Sequence, residues 1–264
     1  MQSIFQSAYC CLQTSNPSEK CNAVFQMRKQ LDELQFSYAE SESILPIAAP
    51  GRPELPKLVM PRDVPRRSLA SDQGRAALVH AITHIEFNAV NLALDAIYRF
   101  QTMPKEYYRD WMQVAYEEAQ HFSMLRERLQ QLGYEYGDFD AHNGLWEMAI
   151  KTSTDIISRM ALVPRVLEAR GLDVTPSMIK KLEQFKDNKT VEILKIIFQQ
   201  EIGHVAIGTR WFNYACEQKQ LNAEETFKDL LQQHYAGELR GPFELEARKQ
   251  AGFSDAELDS LQNI

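Results

Sequence analysis

The sequence predicts an all-α fold: a bundle of four long helices preceded by a proline-rich strap and followed by further helices. Three observations carry this expectation. Apolar residues recur at helical spacing over four long stretches, Gly and Pro punctuate the boundaries between them, and no convincing run of alternating strand residues occurs. Two of the long stretches also repeat one chemical pattern 83 residues apart. AYEEAQHFSML surrounds Glu118 and QQEIGHVAIG surrounds Glu201. Each places a carboxylate three residues before an imidazole, so Glu118 and His121 share one helix face, as do Glu201 and His204.

The elements follow in order. Residues 1 to about 40 are mixed, and Ala23, Phe25, Met27, Leu31 and Leu34 support a helix over roughly 19–40. Residues 44–68 carry six prolines, a spacing no helix survives. They read as an extended strap over the bundle, anchored by Ile44, Leu45, Ile47, Leu55, Leu58, Val59 and Met60. The first long helix spans about 73–100, with Val79, Ile82, Ala89, Val90, Ala93 and Ile97 on one side. Pro104 opens the second, about 105–132, which closes at Gly133. The aromatic, turn-rich residues 134–144 lead to a third helix over about 145–170 that stops at Gly171, with a short helix after Thr175-Pro176. The fourth long helix covers about 188–217. Helical pieces near 223–235 and 242–261 end the chain, the last with a capping box, Ser254 before Glu257. The segment from Gly237 to Pro242 between them reads as a turn, since it lacks the glycine spacing and lysine of a phosphate loop. The expected organisation is an N-terminal helix and strap over 1–70, a bundle over 71–218, and a C-terminal helical extension of the same domain over 219–264.

Bulk properties exclude several classes. The 264 residues include 44% apolar and 25% charged residues, ordinary for a globular chain, and the net charge of −7 disfavours bulk nucleic-acid binding. No apolar run approaches the 18 or so residues of a membrane span. The N-terminus has no basic region before its apolar residues, against a secretory signal. Cys10, Cys11, Cys21 and Cys216 match no zinc spacing and read as reduced thiols, so a cytoplasmic location is expected.

The Glu-x-x-His pairs interrupt apolar stripes. Val114, Leu125 and Leu129 flank one, and Leu194, Ile197, Gly208 and Trp211 the other. A buried carboxylate is costly unless paired or bound to metal, and a metal would explain both. A carboxylate-bridged two-metal bundle adds one glutamate from each of two other helices. On the first helix Glu86 lies on the stripe Val79, Ile82, Ala89, Ala93, about as far before the 100–104 connection as Glu118 lies beyond it. Antiparallel helices would bring the two to one height. On the third helix Glu168 continues the stripe Ile157, Met160, Ala161, Pro164, with Val163, Val166 and Leu167 suggesting burial; Glu147 and Asp155 compete. Glu147 in a first turn is explained by the helix dipole. Pro164 removes a backbone donor, so a bend is expected one turn before Glu168. The candidate metal ligands are thus Glu86, Glu118, His121, Glu168, Glu201 and His204, the four glutamates also being the candidate catalytic groups. Mixed oxygen and nitrogen donors without sulfur suit two metal ions, iron first, with manganese or a mixed pair as alternatives. Neither pair sits in an HExxH motif, which excludes a zinc-protease reading.

Other residues carry ordinary expectations. His80 and His84 share a helix face well away from Glu86 around the axis and read as surface or interface residues, a supporting or channel role being the alternative. Glu117 reads as a solvent or salt-bridge residue. Arg159, Arg165, Arg170 and Arg210 read as surface charges. Trp111, Trp146 and Trp211 read as core, Tyr116 as packing. His142 and His234 carry no signal.

HAITHIEFNAVNLALDA (80–96), EEAQHFSML (117–125), GDFDAHNGLWE (137–147), VPRVLEARGLDVTP (163–176) and EIGHVAIGTRWF (201–212) together resemble the DUF455 family of ferritin-like proteins. The resemblance covers most of the chain, including the proline-rich lead-in and the PFELEARKQAGF tail. It implies a ferritin-like fold related to diiron proteins such as tRNA-hydroxylating and rubrerythrin-type proteins, with Glu86, Glu118, His121, Glu168, Glu201 and His204 at the matching positions. It favours Glu168 over Glu147 and leaves the substrate open.

The function expected is a metal-dependent oxidoreductase, an oxygen-activating dinuclear oxidase or hydroxylase. Iron storage or detoxification, or a metal-binding scaffold without catalysis, are the alternatives. No CxxC module accompanies the bundle, so electrons would come from a partner or from a small-molecule substrate. A homodimer is compatible with the sequence, and nucleic acid enters only through the analogy to tRNA-modifying enzymes.

Overall fold

The computed structural model describes residues 2–39, 43–235, 239 and 241–262. It is predominantly α-helical and ferritin-like, built from packed helix pairs, with one minor parallel pairing of two-residue strands, β1 (Gln2–Ser3) and β2 (Phe36–Ser37), near the N-terminus. The chain forms two compact units, Met1–Ile150 and Lys151–Ile264. Among the described residues no helix is long and apolar enough to cross a membrane.

The first unit is organised around α3 (Asp72–Arg99) and α4 (Lys105–Gln131), close to the expected bounds. Ser71 caps α3 through its hydroxyl, and Gly133, at φ 83, supplies the left-handed turn that ends α4. From Glu86 to Tyr98 every residue of α3 is buried, not only the expected stripe. The reason lies upstream. The N-terminal region holds two helices rather than one: α1 (Ile4–Gln13) packs on α3, and α2 (Pro17–Asp32) packs on α4. Asn16 caps α2 at Ser18 and Glu19, with Pro17 in the first turn, so α2 begins and ends earlier than expected.

The strap is extended, apart from a 3₁₀ turn over Pro61–Asp63. Its expected apolar anchors are corrected: only Ile47 is buried, while Ile44, Leu45, Leu55 and Met60 are exposed. Backbone polar groups hold it instead. Gly51 N donates to Leu12 O (2.9 Å), Val59 N to Ala141 O (2.8 Å) and Ala141 N to Lys57 O (3.0 Å). Trp146 Nε1 donates to Ala48 O (3.2 Å). A Cβ on Gly51 would stand 2.2 Å from Gln13 O, so the strap lies on the end of α1 only because this residue has no side chain.

Lys20 joins these parts. It is fully buried, and its ammonium donates to Leu12 O (3.0 Å), to Gly51 O (2.6 Å) and to Asn91 Oδ1 on α3, beneath the Phe87 ring. Burial lowers its pKa from 10.5 to about 7.

In the second unit the expected third helix is divided. α5 (Gly144–Lys151) ends the first unit's chain, and α6 (Ile156–Leu162) starts anew after Asp155, whose carboxylate accepts from Ile157 N and Ser158 N. A π turn, Val163–Glu168, follows, and α7 (Ala169–Gln184) continues directly from it. Gly171 does not stop the helix, and Pro176 lies inside α7 rather than opening a new one. Packing against α8 (Asn188–Gln218) overrides both local signals. α8 also packs on α6 and on the π turn. Gly208 permits this approach, since a Cβ there would stand 2.4 Å from Pro164 Cβ. After α9 (Ala223–Tyr235), the expected last helix is two, α10 (Leu245–Gln250) and α11 (Asp255–Gln262). The Ser254–Glu257 capping box forms, with Ser254 N to Glu257 Oε2 at 2.9 Å and Glu257 N to Ser254 Oγ at 3.2 Å. The turn expected over Gly237–Pro242 lies largely outside the described residues.

Two predictions follow from this packing. Lys20→Met removes the partner of three buried acceptors and destabilises the protein by about 3 kcal/mol in urea titration. Between the folded value of about 7 and the unfolded 10.5, the unfolded chain binds the extra proton, so stability rises with pH there by at most about 1.4 kcal/mol per unit. That rise is absent in Lys20→Met. Gly208→Ala forces Pro164 away and costs about 2 kcal/mol, read as a lowered denaturation midpoint.

Candidate metal centre

α3 and α4 run antiparallel from their short connection, and the equal spacing of Glu86 and Glu118 from it brings both to one level. His121 Nδ1 lies 3.1 Å from Glu86 Oε2 and 3.3 Å from Glu118 Oε2. Ligand atoms of these three residues lie within 4.8 Å of one another, an arrangement compatible with a metal ion. All three are buried, Glu86 at 3% exposure, Glu118 at 1% and His121 at 0%.

The electrostatics suit a cation. Burial, reinforced by the charge of Glu118, pushes Glu86 up to about 8 against the pull of His121. Burial opposes charge on His121 too, but the hydrogen bonds and charges of Glu118 and Glu86 outweigh it and raise the imidazole well above 6.5. Metal-free, the group therefore keeps protons at neutral pH that a metal would displace.

The second unit holds the other three candidates. Glu201 and His204 share a face of α8, with Oε1 and Nδ1 3.5 Å apart. Leu194, Ile197, Gly208 and Trp211 on the same stripe are buried, as is His204. Glu168 is buried and closes the π turn, on the element against which α8 packs. The bend expected at Pro164 is this π turn. Of the competitors, Glu147 is exposed in the first turn of α5, and Asp155 caps α6 and pairs with Lys219 at 3.4 Å.

Several residues are corrected. His80 and His84 are buried, not surface groups. His84 Nδ1 lies 2.8 Å from the Tyr136 hydroxyl, and His84 Nε2 lies 3.2 Å from the His142 carbonyl oxygen and 3.0 Å from Asn88 Nδ2. His80 Nε2 accepts from Gly137 N (2.9 Å). Burial lowers both imidazoles to about 4, so both are neutral. The Tyr136 ring packs on Phe87 and Phe122, the neighbours in sequence of Glu86 and His121. This aromatic–imidazole wall was signalled by the four-residue spacing of His80 and His84 together with the aromatic 134–144 segment. Arg159 and Arg165 are also buried. Arg159 Nε donates to Thr152 Oγ1 (2.8 Å); Arg210 is exposed as expected. Tyr116 packs on Phe25, and all three tryptophans are core.

The DUF455 family, described as proteins of unknown function, matches residues 13–259, and the chain belongs to it. An uncharacterized protein of Haemophilus influenzae is 47% identical over 272 aligned positions, covering 98% of this chain and 94% of its own length. No solved structure matches the chain. Family and fold agree with diiron-type metalloproteins.

Because a metal ion would have to displace the protons held by Glu86, raised to about 8, and by His121, raised well above 6.5, divalent-metal affinity at this group is expected to rise with pH through the neutral range. Equilibrium dialysis between pH 6 and 9 measures this, and a flat profile would contradict the proton competition.

Proposed function

We propose that this protein is a dinuclear-metal oxidoreductase that activates dioxygen to oxidise or hydroxylate a small molecule. Glu86, Glu118 and His121 supply one half of the site, and Glu168, Glu201 and His204 the other. The observation that carries the reading is the buried convergence of two carboxylates and an imidazole between α3 and α4. The donors are oxygen and nitrogen without thiolate, the set that suits iron, or manganese in one or both positions.

Bound metals would supply the redox chemistry toward dioxygen. Glu86, Glu118, Glu168 and Glu201 would hold and neutralise the dications, with His121 and His204 as the nitrogen donors. Glu86, raised to about 8, holds a proton at neutral pH that a bound metal would have to displace. The wall of Phe87, Phe122 and Tyr136 excludes water behind Glu86 and His121. Electrons come from a partner protein or from the substrate itself.

Elemental analysis of protein purified without chelator tests the reading. About two metals per chain are expected. Glu118→Ala and His204→Ala each lose at least one of them, and oxygen uptake with a chemical reductant falls in both. A wild type that refuses both Fe(II) and Mn(II) sinks the proposal.

A further inference from the structure

The second unit contains a charge cluster that the metal chemistry does not use. Arg165, in the middle of the π turn, is fully buried. Its Nε donates to Thr209 Oγ1 on α8 (3.2 Å) and its Nη2 to Glu257 Oε1 on α11 (2.7 Å). Its guanidinium carbon lies 4.2–4.6 Å from the ring centres of Phe212, Phe227 and Phe253. Glu257 uses its other oxygen to accept from Ser254 N, so one carboxylate both caps α11 and holds Arg165. Arg248 on α10 is buried too. It grips Asp173 of α7 with two hydrogen bonds (2.9 and 2.7 Å) and reaches the Arg165 carbonyl with Nη1 (3.4 Å).

The C-terminal helices thus hold the π turn at both its side chain and its backbone. A π turn takes one residue more than an α turn and is rare because its geometry is poorer. Relaxation to α geometry would rotate whatever follows by about 100° around the axis, one residue's share of a turn. Glu168 is the last residue of this turn, three beyond Arg165. Which side of the helix Glu168 presents therefore depends on the turn staying π.

We propose that the C-terminal helices α10 and α11 are a clamp that fixes Glu168 for metal binding, with Arg165, Glu257 and Arg248 as positioning residues. This rests on the dinuclear reading above. The clamp acts on the second unit's ligands alone. Its loss weakens one metal ion and spares the ion held by Glu86, Glu118 and His121, a split that general destabilisation would not produce.

Titration with Co(II) alone, followed by visible absorption, tests this on the full chain, with circular dichroism and thermal unfolding confirming the fold. Wild type and Asp255→Ala, an exposed control on α11, should bind two ions alike. Glu257→Gln should keep the first and weaken the second at least about tenfold, the scale of lost supporting contacts around a ligand. Arg248→Lys, which keeps a charge for Asp173 but shortens the reach to the Arg165 carbonyl, should show the same split and carries the test if Glu257→Gln does not fold. Two ions bound as in wild type by the folded variants would overturn the clamp and leave the dinuclear reading standing. A wild type that binds no Co(II) would overturn both.

Discussion

Two carboxylates and one imidazole share the dry space between α3 and α4, and much of the first unit can be derived from that constraint. An ion buried without compensation costs several kcal/mol, and a second like charge nearby raises the cost. The raised proton affinities of Glu86 and His121 express this in the metal-free chain. Holding the groups in place despite their mutual cost takes a rigid surround. α1 packs on α3 and α2 on α4, so α3 is buried on every side from Glu86 to Tyr98. The strap is tied by backbone hydrogen bonds that depend little on its own side chains. Lys20 then satisfies two carbonyls and an amide where α1, the strap and α3 meet.

The second unit solves a similar problem by other means. Its acidic residue Glu168 is not placed by the register of one straight helix pair but by a π turn. Pro164 favours that turn by lacking the donor that an α-helix needs, and Gly208 allows α8 to approach it. Local chemistry starts the distortion, while groups nearly a hundred residues further along, Arg248 and Glu257, complete its hydrogen bonding.

This difference explains what the sequence revealed. Glu86 could be matched to Glu118 because both count from one short connection and both lie on helices of regular pitch. The bounds of α3, α4, α8 and α9 were legible for the same reason: their caps and apolar periods agree. The third helix was not. Gly171 and Pro176 are strong breakers locally, and only their packing against α8 shows why α7 passes through them. Asp155 looked like an acid in a helix because the break at 152–155 carries no Gly or Pro. Arg159 and Arg165 looked like surface charges because an arginine's burial depends on partners that the local pattern cannot name. The strap was recognised from its prolines, but its apolar residues were mistaken for anchors when backbone groups hold it.

Exposure adds a last step. In the first unit the Glu118 side chain is 1% exposed and Glu86 4%, whereas Glu201 in the second is 12% exposed. A carboxylate kept dry is held at one position by its surroundings, while one in reach of water can change its mode of binding at smaller desolvation cost. Under the proposed dinuclear reading the two sets of residues would have different duties. Glu86, Glu118 and His121, all buried, would be the fixed set. Glu201, the more exposed carboxylate, would be the one able to change its mode of binding.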